Sequence, residues 1–348
     1  MSSLDEIRSI REKKLELLKS KGFDPYPAKT NRELSLSEAI LNFEDLENSG
    51  ETKWLAGRIL SVRGQGAIIF VTLYDGTANF QGLIKKDVLG DDAFNLFNNA
   101  IDIGDFVELH GIFFTTKRGE KSIETREWRI LSKTLLPLPE KWHGLTDDDE
   151  RYRKRYLDIL MNPELLAMFE KKAKFWDVTR TFMKEHGFTE VETPTLEVTT
   201  GGAEANPFKT HHDDFDIDVY LRISIGELWQ KRLMSAGFPK TFEIGRAYRN
   251  EGSSPEHLQE FTNMEFYWAY ANYEDGMKLT EELYKKIALE VFGTTKFTTK
   301  GHTYDLSDEW KRIEYVDEVK RVTGIDVLSA SEDEMKDKLK ELGVNYEG

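Results

Sequence analysis

The segment KTFEIGRAYRNEGSSPEHLQEFTNMEFYWAY, residues 240–270, sets strong charge beside aromatic rings in two strand-like runs. Phe, Tyr, Trp and Thr dominate Gln259–Tyr270, a composition suited to a pleated surface. Side chains alternate along a strand. Phe261, Glu265 and Tyr267 therefore share one side, and Thr262, Met264, Phe266 and Trp268 share the other, which reads as a core face. Upstream, Glu243, Arg249 and Glu251 fall in step within 240–251, and residues 252–259 would join the two runs as a hairpin. One concave sheet face then carries an arginine, three glutamates, a tyrosine and a phenylalanine. Rings are out of place on a solvated face and charges on a core face, whereas a polar ligand site accommodates both. The competing reading is a ladder of cross-strand salt bridges.

The chain has 348 residues, enough for two domains and part of a third. It has no cysteine, which excludes disulfides and thiolate chemistry. No apolar run reaches membrane-spanning length, and the first 22 residues lack a signal-peptide core. A cytoplasmic location without a membrane partner is expected. The net charge of −15 argues against indiscriminate nucleic-acid binding but leaves room for a local contact, because binding follows local potential. The seven histidines show no metal-like spacing, and His211 and His212 would face opposite sides of a strand.

Residues 4–21 read as a helix with Arg8, Arg11, Lys13, Lys14, Lys19 and Lys21 on a solvated face, broken by GFDPYP. From Trp54 three strand-like runs are divided by Gly and Asp-Gly turns; a short helix at 93–100 and two more strands follow. Five strands with a helix between the third and fourth is the order of an OB barrel, a fold that commonly binds single-stranded nucleic acid. The expected domains are a lead-in at 1–52, the barrel at 53–136, a linker at 137–162 carrying Arg151, Arg153, Lys154 and Arg155, and a second domain at 163–348. That domain reads as a helix ending at Gly187, strands at 188–196 and 219–224, a helix at 226–237, the hairpin, a helix at 272–293 and an acidic helical tail from Leu306. The fold class is α+β: a five-stranded barrel, then an antiparallel sheet with flanking helices.

GFTEVETPTL (187–196) and RAYRNEGSSPEHLQEFTNMEF (246–266) resemble motifs 1 and 2 of the class II aminoacyl-tRNA synthetases. WHGLTDDDERYRKRYLDIL, GGAEANPFKTHH and VYLRISIGELWQKRL are similar to segments of the lysyl-tRNA synthetase family, so that the resemblance runs over essentially the whole chain. It implies that lysine and ATP, with Mg2+, give lysyl-adenylate, and that the lysyl group passes to tRNA(Lys). It also implies a homodimer formed through motif 1.

Residue roles follow from the same resemblance. Arg249 would be catalytic at the ATP α-phosphate, where a planar guanidinium fork suits phosphate. Phe261 would take the adenine face, Glu251 its amino group, and His257 would lie near the triphosphate. Gly202, Glu227, Glu265 and Tyr267 would hold lysine, whose two ammonium groups need carboxylates once buried. Arg63, Phe70, Gln81 and Glu120 would meet the anticodon, with Phe70 stacking a splayed base. Plainer readings stand beside three of these: His257 as a solvated loop residue, Phe70 as barrel core, Glu120 as a turn residue.

The sequence departs from the family pattern at Leu258, at Asn206 and by one extra residue before Glu227. No glycine-rich motif 3 and no acidic pair for magnesium is identifiable, so the expectation is the N-terminal portion of a longer protein with no metal ligands of its own. An aspartyl- or asparaginyl-type synthetase and a non-catalytic RNA-binding paralogue are the alternatives.

Overall fold

The computed structural model describes residues 3–139, 145, 147–252, 254 and 257–344. Parts of the expected linker (140–144 and 146), of the hairpin loop (Ser253, Pro255 and Glu256) and the tail's last four residues lie outside the described residues. The chain divides into two compact units, Met1–Pro163 and Glu164–Gly348.

In the first unit, α1 (Leu4–Ser20) starts at a capping box between Ser3 and Glu6. Two short helices, α2 (Leu36–Leu41) and α3 (Phe43–Ser49), lead into β1 (Thr52–Gln65), β2 (Ile68–Tyr74) and β3 (Asn79–Lys85). After α4 (Lys86–Leu89) and α5 (Asp91–Ala100) come β4 (Phe106–Thr115) and β5 (Lys121–Ser132). The strands close in the order β1-β2-β3-β5-β4, which leaves no free sheet edge. Alternation in IIFVTLY decides which side chains fill the barrel: Ile69, Val71 and Leu73 are buried, while Phe70 and Thr72 point outward and stay half-buried. Phe94 and Phe97 of α5 plug one end beside Trp128, which also stacks on Phe23 at 4.9 Å. The segment 148–161 is two short helices, α6 (Asp148–Arg153) and α7 (Arg155–Met161). Its basic residues are paired locally, Arg153 with Asp149, Lys154 with Glu150, and Arg151 and Arg155 with the buried Asp158.

An ionic lock fastens α1 to this barrel. Lys133 has a side chain with no exposure and reaches Asp102 at 2.6 Å and Asp105 at 2.7 Å. Lys14 of α1 meets Asp102 at 2.6 Å, and Arg11 donates to the carbonyls of Ile103, Thr134 and Leu136. Burial pushes both carboxyls up. At Asp102 the hydrogen bonds from Lys133 and Lys14 outweigh it and hold the group below its ordinary value; at Asp105 burial wins.

The second unit opens with α8 (Pro163–Glu185), then β6 (Thr189–Glu190), β7 (Leu196–Glu197), β8 (Lys209–His212), β9 (Ile217–Leu221) and α9 (Glu227–Ser235). The hairpin is β10 (Lys240–Tyr248) and β11 (Glu260–Trp268), followed by α10 (Tyr273–Ile287) and one π-turn to Phe292. The strand expected through 188–196 is shorter than its composition suggests. It pairs with β10 over two residues, after which Val191 N–H still bonds Phe242 but Thr193 turns its hydroxyl and carbonyl to Arg222. The expected strand over 219–224 stops at Leu221, and the run 240–251 at Tyr248. The core sits between α8, α10 and one sheet face: Val178, Phe182, Phe242, Leu279 and Leu283 are buried there, with Met264, Phe266 and Trp268 packed against them. A two-stranded hairpin, β12 (Lys296–Thr299) and β13 (His302–Asp305), precedes α11 (Tyr315–Thr323) and α12 (Glu332–Glu341).

The lock carries a stability prediction. Lys133→Met keeps the stem and removes the ammonium, stranding Asp105 in a buried site. Breaking a buried pair by deleting one partner costs about 3–5 kcal/mol. Amide exchange of the β4–β5 ladder in the full chain should accelerate accordingly; unchanged protection would show the lock to be dispensable.

Candidate active site

The functional face of the second unit is built by strand register. Across β10 and β11, Glu243 lies opposite Glu265, Ala247 opposite Phe261 and Thr241 opposite Tyr267. Like charges face each other, so a cross-strand salt-bridge ladder is not what this face holds. Glu243 is committed elsewhere, to a buried pair at 2.6 Å with Arg222, the residue after β9, and it accepts the Thr193 hydroxyl at 2.6 Å. Glu265 accepts the backbone N–H of Ile225 at 2.9 Å.

The hairpin end forms a cleft of about 330 Å³ lined by Arg249, Glu251, Gly252, His257, Leu258, Gln259 and Phe261. Its four sequence-nominated residues, Arg249, Glu251, His257 and Phe261, thus meet in one cavity. The Arg249 guanidinium lies 5.2 Å from the centroid of the Phe261 ring and donates to the Ile223 carbonyl. Glu251 accepts the Asn206 N–H at 3.3 Å, which brings the 201–208 segment to the cleft. His257 shares a 2.7 Å hydrogen bond with Ser254.

A second cluster gathers around the start of α9. Gly202 has φ +93, and a Cβ there would stand 2.2 Å from Ser224 Oγ and 2.3 Å from Glu227 Oε2. Only glycine lets the backbone approach that carboxylate. Gly226, the N-cap of α9 in the left-handed region, likewise leaves room for Thr193 and Glu243. Glu227 follows at the first helical position, where the helix dipole favours an anion. The phenol of Tyr267 is pushed up to about 12, by burial first and then by the carboxylates of Glu227 and Glu265. Two carboxylates, a neutral phenol and a close-packed backbone therefore converge, a set that attracts a cation and suits no anion.

In the first unit, the outward residues of β1, β2 and β3 fall side by side because Arg63 pairs with Phe70 and Thr72 with Gln81. They line a groove of about 800 Å³ with Phe114 and the turn residues Lys117, Arg118 and Glu120. All four residues nominated for base contacts, Arg63, Phe70, Gln81 and Glu120, share this groove. Gln81 donates to Ser122 at 2.9 Å, which fixes its amide against the barrel. Sequence reasoning missed Lys85, Lys117 and Arg118, which make the groove basic; turn residues give no periodic signal, and barrel closure alone brings them to this wall.

Comparison with known proteins gives two family matches. Residues 53–131 match the OB-fold nucleic acid binding domain, and residues 147–341 match the tRNA synthetases class II (D, K and N). A lysine–tRNA ligase of Thermotoga maritima is 42% identical over 348 residues, covering 99% of this chain and 69% of its own length. Those of Roseiflexus sp. and Pelotomaculum thermopropionicum are 42% and 43% identical, covering 94% and 96% of this chain and 67% and 65% of their own lengths. The chain belongs to the lysine–tRNA ligases of class II. It spans about two thirds of the length of these relatives. The family is one of tRNA-aminoacylating enzymes. Among the described residues no helix is long and apolar enough to cross a membrane.

Gly202 offers a sharp test of the cluster. Gly202→Ala would drive a methyl group into Glu227 and Ser224 and strain a positive φ. Calorimetric titration of lysine should show at least a tenfold loss of affinity, roughly the effect of 1–3 kcal/mol of strain. Unaltered affinity would show that the cluster at Gly202 does not hold lysine.

Proposed function

We propose that this lysine–tRNA ligase binds lysine between Glu227, Glu265, Tyr267 and the Gly202 backbone. In the same reading ATP binds against Arg249, Glu251, His257 and Phe261, and the tRNA anticodon against Arg63, Phe70, Gln81 and Glu120. The observation that carries the reading is the convergence of Glu227 and Glu265 on a neutral Tyr267. An aspartyl- or asparaginyl-type substrate brings a carboxylate or amide side chain, which two glutamates would repel or leave unpaired. Lysine brings ammonium groups that both carboxylates can take, whereas an uncharged analogue brings no charge to set against them.

Activation forms a bond between a lysine carboxylate oxygen and the α-phosphorus as the bond to pyrophosphate breaks. Negative charge grows on the α-phosphoryl oxygens, and Arg249 stabilises it at the moment it develops. Phe261 holds the adenine plane, and Glu251 accepts from its amino group. Among the described residues no group of three or more histidines, aspartates and glutamates is arranged to hold a metal ion. The described residues alone do not supply a ligand set for the magnesium that the family implies. A terminal hydroxyl of tRNA(Lys) then forms an ester with the lysyl carbonyl as the bond to AMP breaks and AMP leaves; the splayed anticodon bases stack on Phe70 while Arg63, Gln81 and Glu120 meet base edges and backbone. The reading also carries a cytoplasmic location, the compartment of its tRNA.

Arg249 and Glu265 separate in kinetics. In the full-length protein, Arg249→Ala should lower turnover in lysine-dependent pyrophosphate exchange roughly 100–1,000-fold, with little change in lysine binding. Glu265→Gln removes a charge that bound lysine needs in ground and transition states alike, so its effect should appear as a raised lysine KM. Near-normal turnover of Arg249→Ala would reduce the hairpin to a structural element.

The reading includes a homodimer through α8 and the segment after it, where Met168, Phe169, Leu196 and Val198 are exposed. An apolar surface of this kind suits an isologous interface. Sedimentation of the full-length protein at micromolar concentration should give twice the chain mass, and a monomer would count against the assignment.

A further inference from the structure

Gln230 is a fully buried amide on α9, one helical turn after Glu227. Helix periodicity gives no hint of a role for it. Its Nε2 donates to the Ile225 carbonyl at 3.0 Å and, more weakly, to the Glu265 carbonyl at 3.4 Å. Its Oε1 accepts the hydroxyl of Thr241, itself buried, at 2.9 Å. These contacts reach three elements at once. Ile225 begins the turn into α9 and gives its N–H to the Glu265 carboxylate. Thr241 lies on β10 opposite Tyr267 of β11. Every group with which Gln230 bonds therefore sits next to, or on the same residue as, a proposed lysine-binding group.

We infer that Gln230 is a positioning residue that sets the separation and aim of Glu227 and Glu265, and thereby the enzyme's affinity for lysine. The inference rests on the proposed lysine subsite. The reason is geometric. Glu227 belongs to a helix and Glu265 to a strand, and two carboxylates on separate elements keep a fixed spacing only if the elements are cross-linked. Packing alone lets a helix slide on a sheet at little cost, whereas buried hydrogen bonds are directional and costly to leave unmade. Gln230 closes a ring: the Ile225 amide holds the Glu265 carboxylate, the Ile225 carbonyl is held by Gln230, and Gln230 stands one turn from Glu227. The ATP cleft at the far end of the hairpin has no member of this ring, so the effect should fall on lysine alone.

The test uses the full-length protein with Gln230→Met, which keeps a similar volume without the hydrogen bonds, and Thr241→Val, which removes only the hydroxyl. Glu265→Gln runs in parallel. In lysine-dependent pyrophosphate exchange, Gln230→Met should raise the lysine KM about tenfold, the order expected when buried partners go unpaired, while the ATP KM and kcat stay within about twofold. Thr241→Val should shift the lysine KM in the same direction and by less, and it carries the test if Gln230→Met does not fold. A purely structural role would lower the melting temperature and leave both KM values alone, or move the lysine and ATP parameters together; either result overturns the inference. If Glu265→Gln raises the lysine KM and neither Gln230→Met nor Thr241→Val does, this inference fails and the subsite stands. If Glu265→Gln leaves the lysine KM unchanged, the subsite itself falls.

Discussion

The second unit turns on the buried pair of Arg222 and Glu243. Both side chains are 5% exposed, and their 2.6 Å contact joins β10 to the segment that follows β9. Removing two such charges from water costs several kcal/mol per ion, so a pair of this kind persists only when its remaining donors and acceptors are also met. They are. Arg222 donates to the carbonyls of Arg246 and Thr193 and to the Thr193 hydroxyl, and Glu243 accepts the hydrogen bond of the Thr193 hydroxyl on its other oxygen. The network makes room for itself through glycine: a Cβ on Gly245 would lie 2.2 Å from Arg222 Nη2. Its consequence is positional. It ties the segment after β6 to β9 and β10, and so anchors the turn at Ser224–Gly226 from which Glu227 and the Ile225 amide project. Replacing the pair with apolar residues of equal volume could keep the stability and lose that registration.

Much of this architecture was legible as strand alternation. In β2, apolar residues at every second position fill the barrel and leave Phe70 outside, and in β11 the same rule separates Met264, Phe266 and Trp268 from the site face. The short β6 was not legible, because its β-forming residues are diverted: Thr193 serves the Arg222 network instead of a ladder. Gln230 was invisible for a related reason. A glutamine in an amphipathic run reads as solvated unless one knows which polar atoms lie beneath it. The hairpin β12–β13 escaped because KFTTKGHTYD offers only Phe297 and Tyr304 as an apolar pair, although its turn residues Lys300 and Gly301 both adopt positive φ. The salt-bridge ladder failed as a reading because composition cannot supply register, and register sets Glu243 against Glu265.

The overall charge of −15 is no guide to the groove of the first unit. Arg63, Lys85, Lys117 and Arg118 stand on one wall, and of these Lys85 is partly neutralised by Glu124. Steering over a screening length of about 8 Å depends on the charges within it and not on the sum over the molecule. The acidic background has a complementary effect, since it disfavours contact with phosphate away from basic faces such as this one.

The proposed subsites have in common that protein groups already satisfy them. Lys231 extends its ammonium to Glu227, four residues before it on α9, and the Arg249 guanidinium lies over the Phe261 ring. Each contact is of the kind a substrate would replace, an ammonium on a carboxylate and a flat cation on an aromatic face. Their strength decides whether they block or assist. An exposed i,i+4 ion pair is worth about 0.3–0.5 kcal/mol, and a solvent-facing cation–π contact about 0.5–1 kcal/mol. A millimolar ligand already brings about 4 kcal/mol, so neither contact can exclude substrate. Both keep otherwise unpaired groups near their working positions, and the displaced Arg249 is freed at the place where the proposed reaction builds negative charge. In the proposed reaction, the arginine that lies over Phe261 would thus be the one released to the phosphate when adenine takes its place.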